Sequence, residues 1–144
     1  MKVVYIAGKY RGKTPWEVEQ NIRAAEDVGA KVIAAGHMPL IPHANTRHME
    51  GLADDAFFLA GTMELLRRCD AVVLVPGWSR SVGARAEVVE ANRLGLPVFG
   101  RESQHGVMEA RRLGLARITA YVWRNTCINF ACLELHDWAE HGDV

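Results

Sequence analysis

The sequence predicts a single-domain α/β fold spanning residues 1–144, with a mostly parallel sheet of about five strands flanked by helices. Three observations predict it. Short β-branched runs alternate with amphipathic stretches along the chain. The runs are apolar on successive residues, as in strands covered on both faces. A chain of 144 residues also buries one sizeable core and divides poorly into two.

The first run, KVVYIA at residues 2–7, ends at Gly8 and suits a buried strand. After the loop GKYRGK, Thr14 supplies an N-cap, Pro15 a first helical residue and Glu17 the acid of a capping box. Val18, Ile22, Ala25 and the Val32/Ile33 pair recur at helical spacing until Gly36 ends the segment. MPLIPH reads as a short strand with an irregular, proline-bearing edge, and residues 44–53 are polar and turn-rich.

Asp54 and Asp55 then open AFFLAGTMELLRRC, a helix with acids at its start and arginines at its end. AVVLV is the third strand, Ser81 to Leu94 a helix and LGLPVFG the fourth strand. Residues 103–114 suit another helix, 118–124 a fifth strand and 125–140 a weakly periodic helix. Such alternation gives a Rossmann-like or flavodoxin-like sandwich, in which ligands sit at the carboxyl ends of the strands. Those ends carry GKYRGK, the region from His43 and GWSRSVG. Asp70 precedes its strand and belongs to the opposite, structural edge.

Lys plus Arg equals Asp plus Glu at 17 each, so no net charge favours a nucleic acid or a membrane surface, and a small ligand is the expected partner. No run approaches the ~18 apolar residues of a spanning helix, and the expected location is the cytoplasm. Cys69, Cys127 and Cys132 read as free thiols. His37, His43 and His48 lack metal-ligand spacing, and neither a metal nor a cofactor is expected.

Lys9, Arg11 and Lys13 in the first loop suit an anion, and Gly8 and Gly12 let its backbone approach one; a basic solvated turn is the plain alternative. Ser81 at the next helix start, with Gly83 behind it, offers a second anion-binding element. Glu87 lies about one turn inside that helix, near the same mouth, either as a functional carboxylate or as a solvated one like Glu90. His43 is placed to contact a ligand, and Tyr10 and Trp78 either stack on a base or pack.

Together YIAGKYRG, PLIPH, CDAVVLVPGW and SVGARAEVVEANRLGLPV resemble the nucleoside 2-deoxyribosyltransferase superfamily, nearest to the small proteins grouped as domain of unknown function 4406. The resemblance covers roughly residues 3–100. Its most specific element is S-x-G-x-x-x-E followed by G-x-P-V, here Ser81, Gly83, Glu87, Gly95, Pro97 and Val98. It implies that Glu87 is a nucleophile attacking the anomeric carbon of a 2′-deoxyribosyl group, with water or a second base resolving the glycosyl ester. The loop G-x-x-R-G (Gly8, Arg11, Gly12) and Ser81 also match the phosphate-holding positions of the 2′-deoxynucleoside 5′-monophosphate N-hydrolases.

The implied activity is therefore hydrolysis of the N-glycosidic bond of such a nucleotide. Base exchange between nucleosides and a non-catalytic nucleotide-binding module are the alternatives. The resemblance also implies a homodimer or higher homo-oligomer. One position departs from the pattern: Thr62 stands where the family carries an aspartate that handles the proton or the leaving base. A hydroxyl is no proton donor near neutral pH, which leaves Asp55, Asp54, Glu64 and His43 as candidates.

Overall fold

The computed structural model describes residues 1–100. The expected helices at 103–114 and 125–140, the expected strand at 118–124, and Cys127 and Cys132 lie outside the described residues.

Four strands form one sheet in the order β2-β1-β3-β4, every neighbouring pair parallel. These are β1 (Val3–Ala7), β2 (Met38–Leu40), β3 (Ala71–Leu74) and β4 (Val98–Phe99). The helices are α1 (Pro15–Ala34), α2 (Pro42–Asn45), α3 (Asp55–Arg67) and α4 (Val82–Arg93), with a 3₁₀ turn at Trp78–Arg80. β1 pairs with β2 from Val3 opposite Met38 to Tyr5 opposite Leu40, and with β3 from Val4 opposite Ala71 to Ala7 opposite Leu74.

The period-two alternation of a strand divides the core. Val4, Ile6, Val73 and Phe99 face α1, where they meet Ala25, Val28 and Val32. Tyr5, Ala7, Val72 and Leu74 face the other way, onto Leu66 of α3 and Val88 and Ala91 of α4. Every residue of β3 is buried, so its sequence is continuously apolar. Tyr5 is the exception in chemistry: it is fully buried, and its hydroxyl must find a partner inside.

The helix starts follow their caps. Thr14 Oγ1 accepts the Glu17 amide at 3.2 Å, and an Asp54 carboxylate oxygen accepts the Phe57 amide at 2.8 Å. Glu17 completes its box one residue earlier than expected, accepting the Lys13 amide at 2.7 Å rather than that of the cap residue. α1 ends as Gly36 predicted. Its φ of 85° lets the amides of Gly36 and His37 turn back onto the carbonyls of Ile33 and Val32.

Two expected elements are shorter than predicted, and of LGLPVFG only Val98–Phe99 forms β4. β2 stops at Leu40 and Pro42 opens α2 instead of continuing a strand, since proline's fixed φ and missing amide suit a first helical turn. His43 therefore projects from a helical turn rather than a strand end. Asp70 lies at the opposite edge as expected: its Oδ2 accepts the Val3 amide at 2.8 Å, and its own amide donates to Val3 O at 2.8 Å.

The sheet order locates the cleft. From β1 the chain runs outward to β2, then returns across β1 to form β3 on the other side. The loops after β1 and β3 consequently diverge, and the crevice between them is the topological switch point where α/β sheets bind ligands.

Candidate active site

Three backbone devices bring Glu87 to that crevice. Gly77 leaves β3 in the left-handed region at φ 81°, the 3₁₀ turn reverses the chain, and Ser81 caps α4 by accepting the Ala84 amide on Oγ at 3.2 Å. Arg85 braces the turn by donating to the Ser79 carbonyl at 2.9 Å. α4 packs Ala84, Val88 and Ala91 inward, which turns the second-turn carboxylate beside them toward β1.

There the Tyr5 phenol donates to Glu87 Oε1 at 2.7 Å, while Oε2 is buried with no hydrogen-bond partner. Burial pushes the Glu87 carboxyl up to about 7, against the opposing pull of the Tyr5 hydrogen bond. The same burial, then the Glu87 charge, drives the Tyr5 phenol far above its ordinary value, so the shared proton stays on tyrosine.

Glu90, three residues on, meets the opposite environment. Arg93 and Arg67 each hold it at 2.7 Å and bring it down to about 2, with the Arg93 hydrogen bond the larger cause. Glu90 clamps α3 to α4, whereas Glu87 has been taken out of water without a cation. Burial and cations, not position on the helix, tell these two carboxylates apart.

Thr62 lies beside Tyr5. Its hydroxyl donates to the Leu59 carbonyl at 3.0 Å, and it stands as a hydrogen-bond neighbour of the Tyr5 phenol, easing ionisation there. Asp55 does not join them. It begins α3 two turns earlier, about 10 Å along the axis, and pairs with Arg11.

The loop after β1 forms the other wall. His43 is buried and donates from Nε2 to the Gly8 carbonyl at 3.2 Å, because a carbonyl can only accept. Burial holds its pKa below the ordinary value despite the Gly8 and Lys9 carbonyls, leaving Nδ1 a buried acceptor without a partner. Tyr10 sets its ring edge-on to His43 at 5.8 Å between centroids and donates its hydroxyl to Glu50. Lys9 and Arg11 are exposed.

The glycines of this loop have a reason the sequence reading did not give. A Cβ on Gly8 would lie 2.7 Å from a Val75 methyl, and one on Gly12 would lie 2.5 Å from the Glu17 Cβ. Packing against Val75, just past β3, and against α1 therefore excludes a side chain at both positions. Gly83 is different, with only Ser81 Oγ, at 3.8 Å, near the place of its missing Cβ. Trp78 is half-buried against the cluster that contains Tyr5 and Leu74 and so supports the floor of the site.

Two contributors were not singled out from sequence. Tyr5 read as one more strand residue, although a lone hydroxyl in a fully buried aliphatic run signals a polar partner. Asn21 sits inside α1 and donates to the carbonyls of Tyr10 and Arg11 at 3.0 and 3.1 Å; an amide on the first turns of a helix that follows a glycine loop was the available sign. Among the described residues no three His, Cys, Asp or Glu side chains converge as metal ligands, and no helix is long and apolar enough to cross a membrane.

Two solved structures share this architecture. A 2-deoxyribosyltransferase from the psychrotolerant bacterium Bacillus psychrosaccharolyticus is 19% identical with a TM-score of 0.51, over 67% of this chain and 69% of that one. A conserved protein from Enterococcus faecalis V583 is 17% identical with a TM-score of 0.51, over 95% of this chain and 87% of that one. At these identities the likeness shows the fold. No curated protein matches the sequence. The family model described as domain of unknown function (DUF4406) matches residues 2–100, and the chain belongs to that family.

Proposed function

We propose that the protein hydrolyses the N-glycosidic bond of a 2′-deoxynucleoside 5′-monophosphate, with Glu87 as nucleophile. The observation that carries this reading is the asymmetry of the Glu87 carboxylate, one oxygen fixed by Tyr5 and the other buried without a partner. In the proposed reaction the Glu87 carboxylate attacks the anomeric carbon. The bond from that carbon to the base nitrogen breaks, and its electron pair leaves with the base. Water then attacks the same carbon, the ester bond to Glu87 breaks, the carboxylate returns, and the proton that water loses ends on the departed base. Tyr5 steadies the ionised carboxylate before attack.

Arg11, Lys9, the Gly8–Gly12 loop and Ser81 are assigned to the 5′-phosphate, and Gly83 leaves room beside it. Tyr10 and His43 line the wall against sugar or base, over the floor that Trp78 supports. Asp55 pairs with Arg11 and in this reading acts on the phosphate loop rather than on the leaving base. Likeness to a 2-deoxyribosyltransferase fold favours a second reading, in which a free base instead of water resolves the ester.

The test is chromatographic measurement of base release from 2′-deoxynucleoside 5′-monophosphates, the matching nucleosides and ribonucleotides, beside the Glu87→Gln variant. Release from deoxy monophosphates alone, absent in the variant, supports hydrolysis. Exchange into an added base supports transfer. Binding without any release identifies a nucleotide-binding module.

A further inference from the structure

The loop at residues 8–13 is held in two separate ways. Its backbone is fixed from inside the domain, by Asn21 on the Tyr10 and Arg11 carbonyls, His43 on the Gly8 carbonyl and Glu17 on the Lys13 amide. Its side chains Tyr10 and Arg11 are caught instead by Glu50 and Asp55, two acids of one exposed segment.

We infer that Asp55 holds the Arg11 guanidinium in the place that a ligand's phosphate takes, so that a phosphomonoester must displace it in order to bind. This rests on the phosphate-loop reading above. Carboxylate and phosphate compete for the same planar fork of donors, and a carboxylate left in place would repel the bound phosphate. The Arg11 and Asp55 side chains are 74% and 71% exposed, so their pairing is weak enough for a dianion to replace. A nucleoside offers nothing to replace it with, and a phosphodiester brings a single charge. No backbone bond of the loop involves Asp55, so the cradle keeps its shape when the pair opens.

The test is calorimetric titration of the full chain with 2-deoxyribose 5-phosphate and with its methyl phosphodiester, ligands independent of base preference. Asp55→Asn is expected to tighten the monoester about three- to five-fold and the singly charged diester by no more than that. On the Arg11→Ala background the same substitution is expected to tighten neither. If Arg11→Ala weakens the monoester while Asp55→Asn leaves it unchanged or weaker, Asp55 is no competitor and the inference is overturned with the phosphate loop intact. If Arg11→Ala leaves monoester binding unchanged, or the wild-type chain does not bind it, the phosphate-loop reading falls and takes the inference with it.

Discussion

Tyr5 and Glu87 lie 82 residues apart in sequence and meet at 2.7 Å, phenol to carboxylate, across the interface between the sheet and α4. The contact explains a buried tyrosine in an aliphatic strand and a carboxylate that has no cation beside it. A phenol whose own ionisation is suppressed serves as a permanent donor. It holds one carboxylate oxygen and leaves the other without a partner.

Removing that donor should shift the pH profile. The Tyr5 hydrogen bond lowers the Glu87 pKa, so Tyr5→Phe is expected to raise it beyond about 7. The nucleophile proposed for this site works ionised, so the acid limb of kcat/KM should move to higher pH, with about a tenfold loss at pH 7. Base release measured across pH 5–9 checks this.

Glu87 should also cost stability in alkaline solution. Its native value of about 7 lies above the unfolded value of about 4.3. Between the two the unfolded chain binds fewer protons than the native one, so stability falls as pH rises through this window. The loss is complete above the native value, on the order of 3 kcal/mol. Glu87→Gln is therefore expected to melt about 10 °C higher than wild type at pH 8, with the gap closing below about pH 4.5. Thermal denaturation at several pH values measures it.

Ser81 carries a structural and a proposed binding role that substitution can separate. Ser81→Ala removes the cap on α4 and should lower stability by about 1 kcal/mol. Ser81→Asp keeps a capping oxygen and adds a charge the helix start tolerates, so stability should hold while monophosphate binding falls at least about tenfold. Chemical denaturation and ligand titration on both variants distinguish the roles.

Asp70 provides a contrast at the far edge of the sheet. Asp70→Ala frees the Val3 amide and should cost about 1–2 kcal/mol. With sample integrity maintained below the melting temperature, KM should not change, because the substitution lies at the amino ends of the strands. Denaturation and steady-state kinetics together check this.

Local chemistry was what the sequence displayed best. The caps at Thr14, Asp54 and Ser81 and the stop at Gly36 depend on residues a few positions away, and the continuous apolar runs of β1 and β3 reflect burial on both faces. Spacing and resemblance brought Glu87 and Ser81 into view as a pair. Contacts made by tertiary packing did not show. Nothing near Tyr5 in sequence names Glu87 as its partner, and Arg11 and Asp55 appeared as separate candidates for phosphate and proton before the fold paired them. Glu87 and Glu90 look alike on a helix, and only the arginines around one of them tell the two apart.

The most direct measurement is mass analysis of the peptide bearing residue 87 after acid quench of the protein turning over a 2′-deoxynucleoside 5′-monophosphate that it cleaves. A 2-deoxyribosyl 5-phosphate adduct on Glu87, absent in Glu87→Gln, is the expected result. Rapid base release without an adduct on that peptide, continuing undiminished in Glu87→Gln, would contradict the assignment of Glu87 as nucleophile.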